Sequence, residues 1–177
     1  MDVGRYDIRS YSFDPTVSYF VDTNVWFLAF GPTPLGGHRV HIYKPAVQRL
    51  RSSGAKTFID ALVLSELVNA WARTEFRRAG ATDFKAFRNS TAFKVIAQGI
   101  VDALRKIFAF ALPTATAFAN IDLASLLTTF EAGGADINDL LIAETCRSKS
   151  FVLVTDDADM KASDVAIVTA NPLLLAR

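Results

Sequence analysis

Short, continuous runs of apolar residues alternate along the chain with longer segments whose apolar residues recur at helical spacing. Runs of the first kind are SYFV at 18–21, KTFI at 56–59, FVLVT at 151–155 and VAIVT at 165–169. Such runs are typical of strands buried on both faces of a parallel sheet. Strands that alternate with helices predict an α/β fold, a three-layer α/β/α sandwich around a mostly parallel central sheet.

The helical segments are bounded by residues that start or stop helices. They are predicted at VWFLAF (25–30), KPAVQRLRSSG (44–54), ALVLSELVNAWARTEFRRAG (61–80), 83–110, DLASLLTTFEAGG (122–134) and ADINDLLIAETCRSK (135–149). Pro45 is expected in the first turn of the second helix and Gly54 beyond its end. Asp60 is expected to cap the third helix, which Gly80 ends.

Glycine, proline and asparagine mark the breaks between these segments. GPTPLGGH at 31–38 is predicted to be a loop, with His38 and His41 in or near it. The helical segment at 83–110 is expected to break near Asn89 and Ser90 and to be ended by Pro113.

The composition adds little to the predicted fold, whereas the distribution of charge along the chain indicates a candidate site. The 177 residues fit one domain, and 51% of them are hydrophobic. The net charge of +1 neither requires nor excludes a polyanionic partner. Basic residues are concentrated between 61 and 112, whereas 113–146 holds no Lys or Arg. An acidic later region beside a basic middle region indicates a site that gathers negative charge next to a surface that tolerates anions.

The N-terminus and the single cysteine bear on the setting in which the protein works. Cys146 forms no internal disulfide and is expected in the core, and with only His38 and His41 beside it a zinc site is not expected. The charged start has no signal-peptide pattern, and no apolar run approaches the roughly 20 residues of a membrane helix. A cytoplasmic setting without membrane attachment is therefore predicted.

Several acids lie at strand ends or within otherwise apolar helices. Asp22 follows the first run, Glu66 lies in LVLSELV, Asp139 lies in DINDLLIA, and Asp157 follows FVLVT. In open α/β sheets, ligands bind in the crevice at the carboxyl ends of the strands. Grouped carboxylates repel one another, and a divalent cation with a preference for oxygen ligands, Mg²⁺ or Mn²⁺, removes that cost. The pattern therefore favours metal-assisted hydrolysis of a phosphodiester.

The segments VDTNVW, LVLSELV, DINDLLIAETC and LVTDDADM, in that order, resemble the PIN-domain nucleases, and among them the toxin ribonucleases of VapBC-type toxin–antitoxin pairs. The resemblance spans 18–175, except that 80–120 matches no segment of the family. It implies a PIN-like nuclease domain at 18–177, an N-terminal extension at 1–17, and an extra helical arm at 80–112.

The resemblance also implies roles for individual residues. The acids that would bind the metal and carry catalysis are Asp22, Glu66, Asp139 and Asp157, and the supporting residues are Asn24, Asp136, Thr155 and Asp159. Metal-activated water would attack the phosphorus in line. An RNA substrate, a small antitoxin that covers the acidic cleft, and a homodimer are the implied partners. Met160 replaces the usual aromatic residue of the last motif, which concerns packing.

Several of these residues have an alternative structural explanation. Asp22 is equally well explained as a helix cap. Glu66 is expected either to pair with Arg73 or Arg77 one or more turns away, or to share a site whose approach these two arginines line by contacting RNA phosphates. Asp136 is expected to cap a helix while Asp139 faces the metal.

Asp156 and Asp157 are adjacent and should point apart in an extended segment, so only one of them is expected to face the cleft. The resemblance selects Asp157 for the cleft and leaves Asp156 in solvent.

Two other functions compete with the toxin ribonuclease. One is a PIN-domain nuclease of RNA maturation or quality control that has no antitoxin. The other is a PIN-like domain that binds without cutting, which the presence of all four principal acids argues against.

Overall fold

The structure, a computed structural model, describes residues 3–32, 37–133 and 135–176. Its strands are β1 (Arg5–Asp7), β2 (Ser18–Val21), β3 (Lys56–Asp60), β4 (Ala111–Thr114), β5 (Val152–Val154) and β6 (Ile167–Thr169). They form one parallel sheet in the order β1-β6-β5-β2-β3-β4. This confirms the predicted α/β/α sandwich with its mostly parallel sheet.

The helices are α1 (Thr23–Phe30), α2 (His38–Ser52), α3 (Ala61–Arg78), α4 (Phe84–Arg88), α5 (Thr91–Phe108), α6 (Leu123–Glu131), α7 (Ile137–Lys149) and α8 (Pro172–Leu175). Short 3₁₀ helices occupy Ala117–Asn120 and Ala158–Ala162. No helix among the described residues is long and apolar enough to cross a membrane.

The order of the strands reverses between β2 and β5. From β2 the chain moves through β3 to β4 on one side, and β5 and β6 then lie on the other side. Because parallel crossovers are right-handed, helices α1–α5 lie on one face of the sheet and α6 and α7 on the other. The crevice outside the carboxyl ends of β2 and β5 is therefore the topological switch point where α/β folds bind ligands.

The core confirms the predicted buried strands. Phe20, Leu153 and Ile167 are fully buried in the centre of the sheet. Cys146 is also fully buried, as predicted, and Met160 packs in the same core.

Glycine and asparagine end the helices where the sequence predicted. Gly54 and Gly80 follow α2 and α3 with φ of +73° and +62°, a left-handed conformation that glycine adopts without strain. The break near Asn89 and Ser90 is confirmed, since Asn89 ends α4 and the Ser90 side chain accepts a hydrogen bond from the backbone of Phe93 to cap α5.

The start of α2 was predicted wrongly. The helix begins at His38, so Pro45 lies inside it, and His38 and His41 are exposed on its first turns instead of in a loop. Pro45 lies on the exposed side of α2, where a carbonyl that lacks its helical hydrogen bond is accessible to solvent. Residues 33–36 of the predicted loop lie outside the described residues.

Two strands and one helix were not predicted. β4 contains Pro113, which the sheet tolerates because β4 is an edge strand. β1 lies within the predicted N-terminal extension and pairs with β6 from Arg5↔Ile167 to Asp7↔Thr169. The division of the chain at residue 17 stays a prediction, but residues on both sides of it share one sheet. α8 begins at Pro172, where the Asn171 side chain caps it.

Candidate metal centre at the carboxyl edge of the sheet

A polar residue follows each of the two central strands, β2 and β5, at the same level of the sheet. Val21 of β2 pairs with Val154 of β5, so Asp22 and Thr155 follow their strands side by side. The Thr155 hydroxyl donates a hydrogen bond to Asp22 Oδ2 at 2.6 Å, and Asp22 N–H donates to the Val154 carbonyl at 3.0 Å. The strand ends therefore hold both side chains at the switch point.

Asp22 caps α1 and is also one of the four predicted metal-binding acids. Its Oδ1 accepts a hydrogen bond from Thr23 N–H at 2.6 Å, and its Oδ2 also accepts one from the Asn24 amide at 2.7 Å. The pKa of Asp22 is raised to about 6, mainly by burial and also by the charges of Glu66 and Asp157, although the hydrogen bonds from Thr155 and Thr23 lower it in part. A buried carboxylate that remains under-compensated after three hydrogen bonds is suited to a cation.

Glu66 reaches the same site from α3. It is half-buried, and its Oε2 accepts a hydrogen bond of 2.9 Å from the Thr23 hydroxyl. The ion pairs seen among the described residues do not include one between Glu66 and either Arg73 or Arg77. Arg73 instead lies over the ring of Phe84, 5.1 Å from its centre.

Asp139 approaches from α7, on the opposite face of the sheet. The Asp136 side chain caps α7 by accepting a hydrogen bond of 2.9 Å from Asp139 N–H, as the sequence predicted. Burial, together with the charges of Asp136, Asp157 and Asp22, raises the pKa of Asp139 to about 7. Asp139 is therefore near enough to Asp22 and Asp157 for their charges to act on its carboxyl group.

Asp157 lies in the turn after β5. Its N–H donates to the Thr155 hydroxyl at 3.0 Å, so Thr155 joins Asp22 and Asp157 through one oxygen. Its Oδ1 accepts a hydrogen bond from the N–H of Asp159, which is exposed at the rim. Hydrogen bonds through Thr23 and Thr155 thus connect Asp22 with Glu66 and Asp157, and Asn24 donates directly to Asp22. Together with Asp139, whose carboxyl group is influenced by the charges of Asp22 and Asp157, the three connected acids are called the four grouped acids below.

The prediction that Asp156 lies in solvent was wrong, because its side chain is buried. Asp156 Oδ1 accepts a hydrogen bond of 2.8 Å from the Tyr43 hydroxyl, and its Oδ2 pairs with Arg39 at 2.5 Å. Its N–H donates to Asn24 Oδ1, and its carbonyl accepts from the Asn171 amide. The chain has left the strand at this point, so the alternation of an extended strand no longer decides which side chain faces solvent.

Three residues of this network, Arg39, Tyr43 and Asn171, were not predicted from the sequence. Arg39 and Tyr43 lie on α2, whose start was misplaced, and they carry no motif of their own. Asn171 had a signal, because Asn followed by Pro is a common way to begin a helix.

Asp60 adds a further buried carboxyl at this edge of the sheet. β2 and β3 pair in parallel from Ser18↔Lys56 to Phe20↔Phe58. When this register is extended by two residues, Asp60 lies level with Asp22. Asp60 caps α3 through a hydrogen bond from Val63 N–H to Oδ1, while its buried Oδ2 has no hydrogen-bond partner among the described residues. Burial raises its pKa.

The donor set fits a hard divalent cation in its chemistry. All four grouped side chains offer carboxylate oxygens, and Mg²⁺ and Mn²⁺ prefer such ligands. In the part of the chain that the structure describes, no three acidic, histidine or cysteine side chains are close enough together to bind a metal ion as they are placed. A bound cation would offset the mutual repulsion of the carboxylates, which adds to the larger effect of burial in raising the pKa values of Asp22 and Asp139.

Comparisons with known proteins agree with this architecture. The PAE2754 protein of Pyrobaculum aerophilum has a similar structure, with a TM-score of 0.52 and 20% identity over 90% of this chain and 96% of that chain. A chain in the structure of VapBC2 from Rickettsia felis, bound to a DNA fragment from their promoter, has a TM-score of 0.51 and 18% identity over 86% of this chain and 98% of that one. At these identities the likeness shows the fold.

No curated protein sequence matches the chain. The family model of the PIN domain matches residues 19–166, which include all four grouped acids. The chain therefore belongs to the PIN domain family, whose members are generally nucleases.

Proposed function

We propose that the protein is a metal-dependent endoribonuclease and the toxin of a type II toxin–antitoxin pair. The observation that supports the proposal is the hydrogen-bonded connection of Asp22 with Glu66 and Asp157 at the switch point, next to Asp139 of α7. The pKa values of Asp22 and Asp139 are raised by burial and by the other acids. Such a site is stable with its carboxylates ionised when a cation neutralises them.

These four acids would hold Mg²⁺ or Mn²⁺. When bound, the cation would supply an activated water and neutralise charge that develops on the phosphate. The chain's own residues orient the ligands: Thr155 and Asn24 fix the plane of the Asp22 carboxylate, and Thr23 fixes Glu66. Asp136 holds the first turn of α7, from which Asp139 projects.

RNA is the proposed substrate, and the basic middle of the chain supports this choice. Arg73 and Arg77 are exposed on α3, the helix that carries Glu66. We propose that they bind phosphates along the approach to the site. Replacing both with alanine should weaken RNA cleavage, and unchanged cleavage would rule out the contact.

The toxin assignment rests on the resemblance of the motifs and on the fold shared with a chain of VapBC2. Two features of this chain agree with it. The acidic rim of the site suits a basic segment of an antitoxin. The face of α6 exposes Leu123, Leu127 and Phe130, which suits a homodimer or another protein contact.

A panel of RNAs incubated with Mn²⁺, Mg²⁺ or EDTA tests the nuclease. Cleavage is expected with either metal and not with EDTA, and Asp22→Asn should abolish it. Asp102→Asn is the matched control, because Asp102 is an exposed acid on α5 that pairs only with Arg105 among the contacts described. Cleavage in EDTA, or full activity of Asp22→Asn, would contradict the metal mechanism.

Induced expression in bacteria separates the toxin from the alternatives. A toxin should arrest growth, and Asp22→Asn should relieve the arrest. Cleavage in vitro without growth arrest would favour a nuclease of RNA maturation or quality control. Binding of RNA without cleavage under any metal condition would favour a PIN-like module that only binds.

A further inference from the structure

The acidic cleft opens toward solvent on two sides that differ in charge. On one side, α6, α7 and the 3₁₀ helix at Ala158–Ala162 enclose a cavity of about 680 Å³. Its carboxylates are Asp122, Asp139, Glu144, Asp159 and Asp164. Its arginine, Arg147, already donates from all three of its guanidinium nitrogens to Glu144 and Asp164. A polyanion such as RNA is repelled from this side.

The other side is a groove of about 390 Å³ between the start of α2, the turn after β5 and α8. We call it the Arg39 groove, and its main lining residues are Asn24, Arg39, Asp156, Asp157, Asn171 and Leu173. Asp157 belongs both to this groove and to the acid group, so the groove begins at the proposed reaction site. Arg39 is the basic residue among those that line it.

Arg39 is held in place on one side and open on the other. Its Nη1 lies 2.5 Å from Asp156 Oδ2, and the side chains are 59% and 4% exposed respectively. The Tyr43 hydroxyl fixes the second oxygen of Asp156. A guanidinium has five N–H donors in a plane, so an arginine anchored through one nitrogen keeps donors for a phosphate. Because the buried Asp156 already holds the Arg39 side chain, less side-chain entropy is lost when a phosphate binds.

We propose that the Arg39 groove binds the RNA phosphate next to the scissile bond, with Arg39 as the donor. The inference rests on the proposed ribonuclease function and adds the path of the RNA. The RNA leaves the site past α2 and α8 and not past α6 and α7. Leu173, 58% exposed, and Pro172 provide an apolar surface for the ribose or base of that nucleotide. The volume of the groove is in the range of small-ligand sites.

Binding of a fluorescein-labelled single-stranded RNA of about ten nucleotides tests the proposal, a length within the usual site size for single strands. Anisotropy is measured in EDTA, where cleavage is not expected. Arg39→Gln should weaken binding about tenfold, the effect of losing one charge-assisted hydrogen-bonded contact. The matched control is Lys44→Gln, which removes one positive charge from the same helix outside the groove and should bind as the wild type does.

A set of RNAs that each carry one neutral methylphosphonate linkage shows whether the contact is direct. One linkage should weaken binding to the wild type and have no further effect on Arg39→Gln, because the same contact is already lost. If Arg39→Gln does not fold, Arg39→Lys makes the same comparison, since lysine replaces the planar fork by a single ammonium group. The position-specific loss is then expected to shrink.

Two results would overturn the Arg39 contact: wild-type affinity in Arg39→Gln, or an equal loss at every linkage in both proteins. These results differ from a failure of the proposed function. If the wild type cleaves no RNA with any metal, the ribonuclease function fails and the Arg39 groove loses its ligand. If the wild type cleaves RNA and Arg39→Gln binds it equally well, the groove proposal alone fails.

Discussion

The hydroxyl of Thr155 donates to Asp22 across the junction of β5 and β2, and it accepts the backbone N–H of Asp157. One small side chain thus links two of the four grouped acids that arrive from distant parts of the sequence. Because Thr155 is fully buried, its hydrogen bonds do not compete with bulk water.

Replacing Thr155 with valine, which has the same shape, should lower RNA cleavage about 10- to 100-fold, the usual effect of removing a residue that orients a metal ligand. The hydrogen bond from Thr155 lowers the pKa of Asp22, so its loss should move the acidic limb of the pH–rate profile to higher pH. Single-turnover rates measured from about pH 5 to about pH 9 would show both effects. Thr155→Ser keeps the hydroxyl and should retain most of the activity. An unchanged profile in the valine variant would contradict this role.

The metal-free protein should lose stability as pH rises from about 4 to about 7. Burial raises the folded-state pKa values of Asp22 and Asp139 to about 6 and about 7. The folded state therefore binds these protons more tightly than the unfolded chain does, and the free energy of unfolding falls as they are released. Thermal melts in EDTA across this range measure the fall.

The control for this prediction is the double variant Asp22→Asn/Asp139→Asn, which lacks both titrating groups and should show a smaller fall. Adding Mn²⁺ to the wild type should also reduce the fall, because the cation binds the ionised carboxylates. An equal pH dependence in the wild type and the double variant would assign the effect to other groups.

Tyr43→Phe should destabilise the protein by about 1–3 kcal/mol. The Tyr43 hydroxyl donates to the buried Asp156 carboxylate at 2.8 Å and accepts the Ala170 N–H at 2.8 Å, so its removal leaves buried polar groups without a partner. Urea unfolding measures the difference. Tyr11→Phe is the control, since within the described parts of the chain its half-buried hydroxyl makes one hydrogen bond, a 3.2 Å contact with the Tyr19 hydroxyl. A smaller loss of stability is expected. Equal losses would mean that the Asp156 network adds little stability.

Ile8→Ala should cost about 2–5 kcal/mol, the usual range for removing a large apolar side chain from a core. Ile8 directly follows β1 and is fully buried, and its N–H donates to the Thr169 carbonyl at 2.8 Å. Val3→Ala is the control, because Val3 is exposed and should change stability little. Chemical denaturation of both variants shows whether the segment before β2 is part of the cooperative fold. A small effect of Ile8→Ala would show that this segment unfolds separately.

The parts of the fold that could be predicted are those whose stability is encoded locally. Asp22 and Asp157 were located because each follows an apolar run, and such runs form parallel strands whose carboxyl ends meet at one edge. Asp60 and Asp136 were placed correctly at helix starts, since a cap is recognised from its own few residues. The break near Asn89 and Ser90 was also located.

The parts that could not be predicted depend on contacts between distant segments. The three residues of β1 have no strand pattern of their own, and their hydrogen bonds come from β6. Asp156 is buried because Arg39 and Tyr43 of α2 meet it, and nothing near Asp156 in the sequence announces them. β4 was not predicted because Pro113 was interpreted only as the end of the preceding helix. Proline is, however, tolerated in the edge strand of a sheet.

The pairing of β1 with β6 also constrains how the protein assembles during synthesis. Arg5 can pair with Ile167 only after the whole chain between them has been synthesised. In the same way, β2 can pair with β5 only after β5 has been synthesised. Contacts between such distant residues form slowly, because a long loop must close first. The strand that delivers Thr155 and Asp157 is among the last to emerge, so a nascent chain carries Asp22 without the residues that complete its site. If the protein is a toxin, the topology of its sheet delays its activity until translation of the domain is nearly finished.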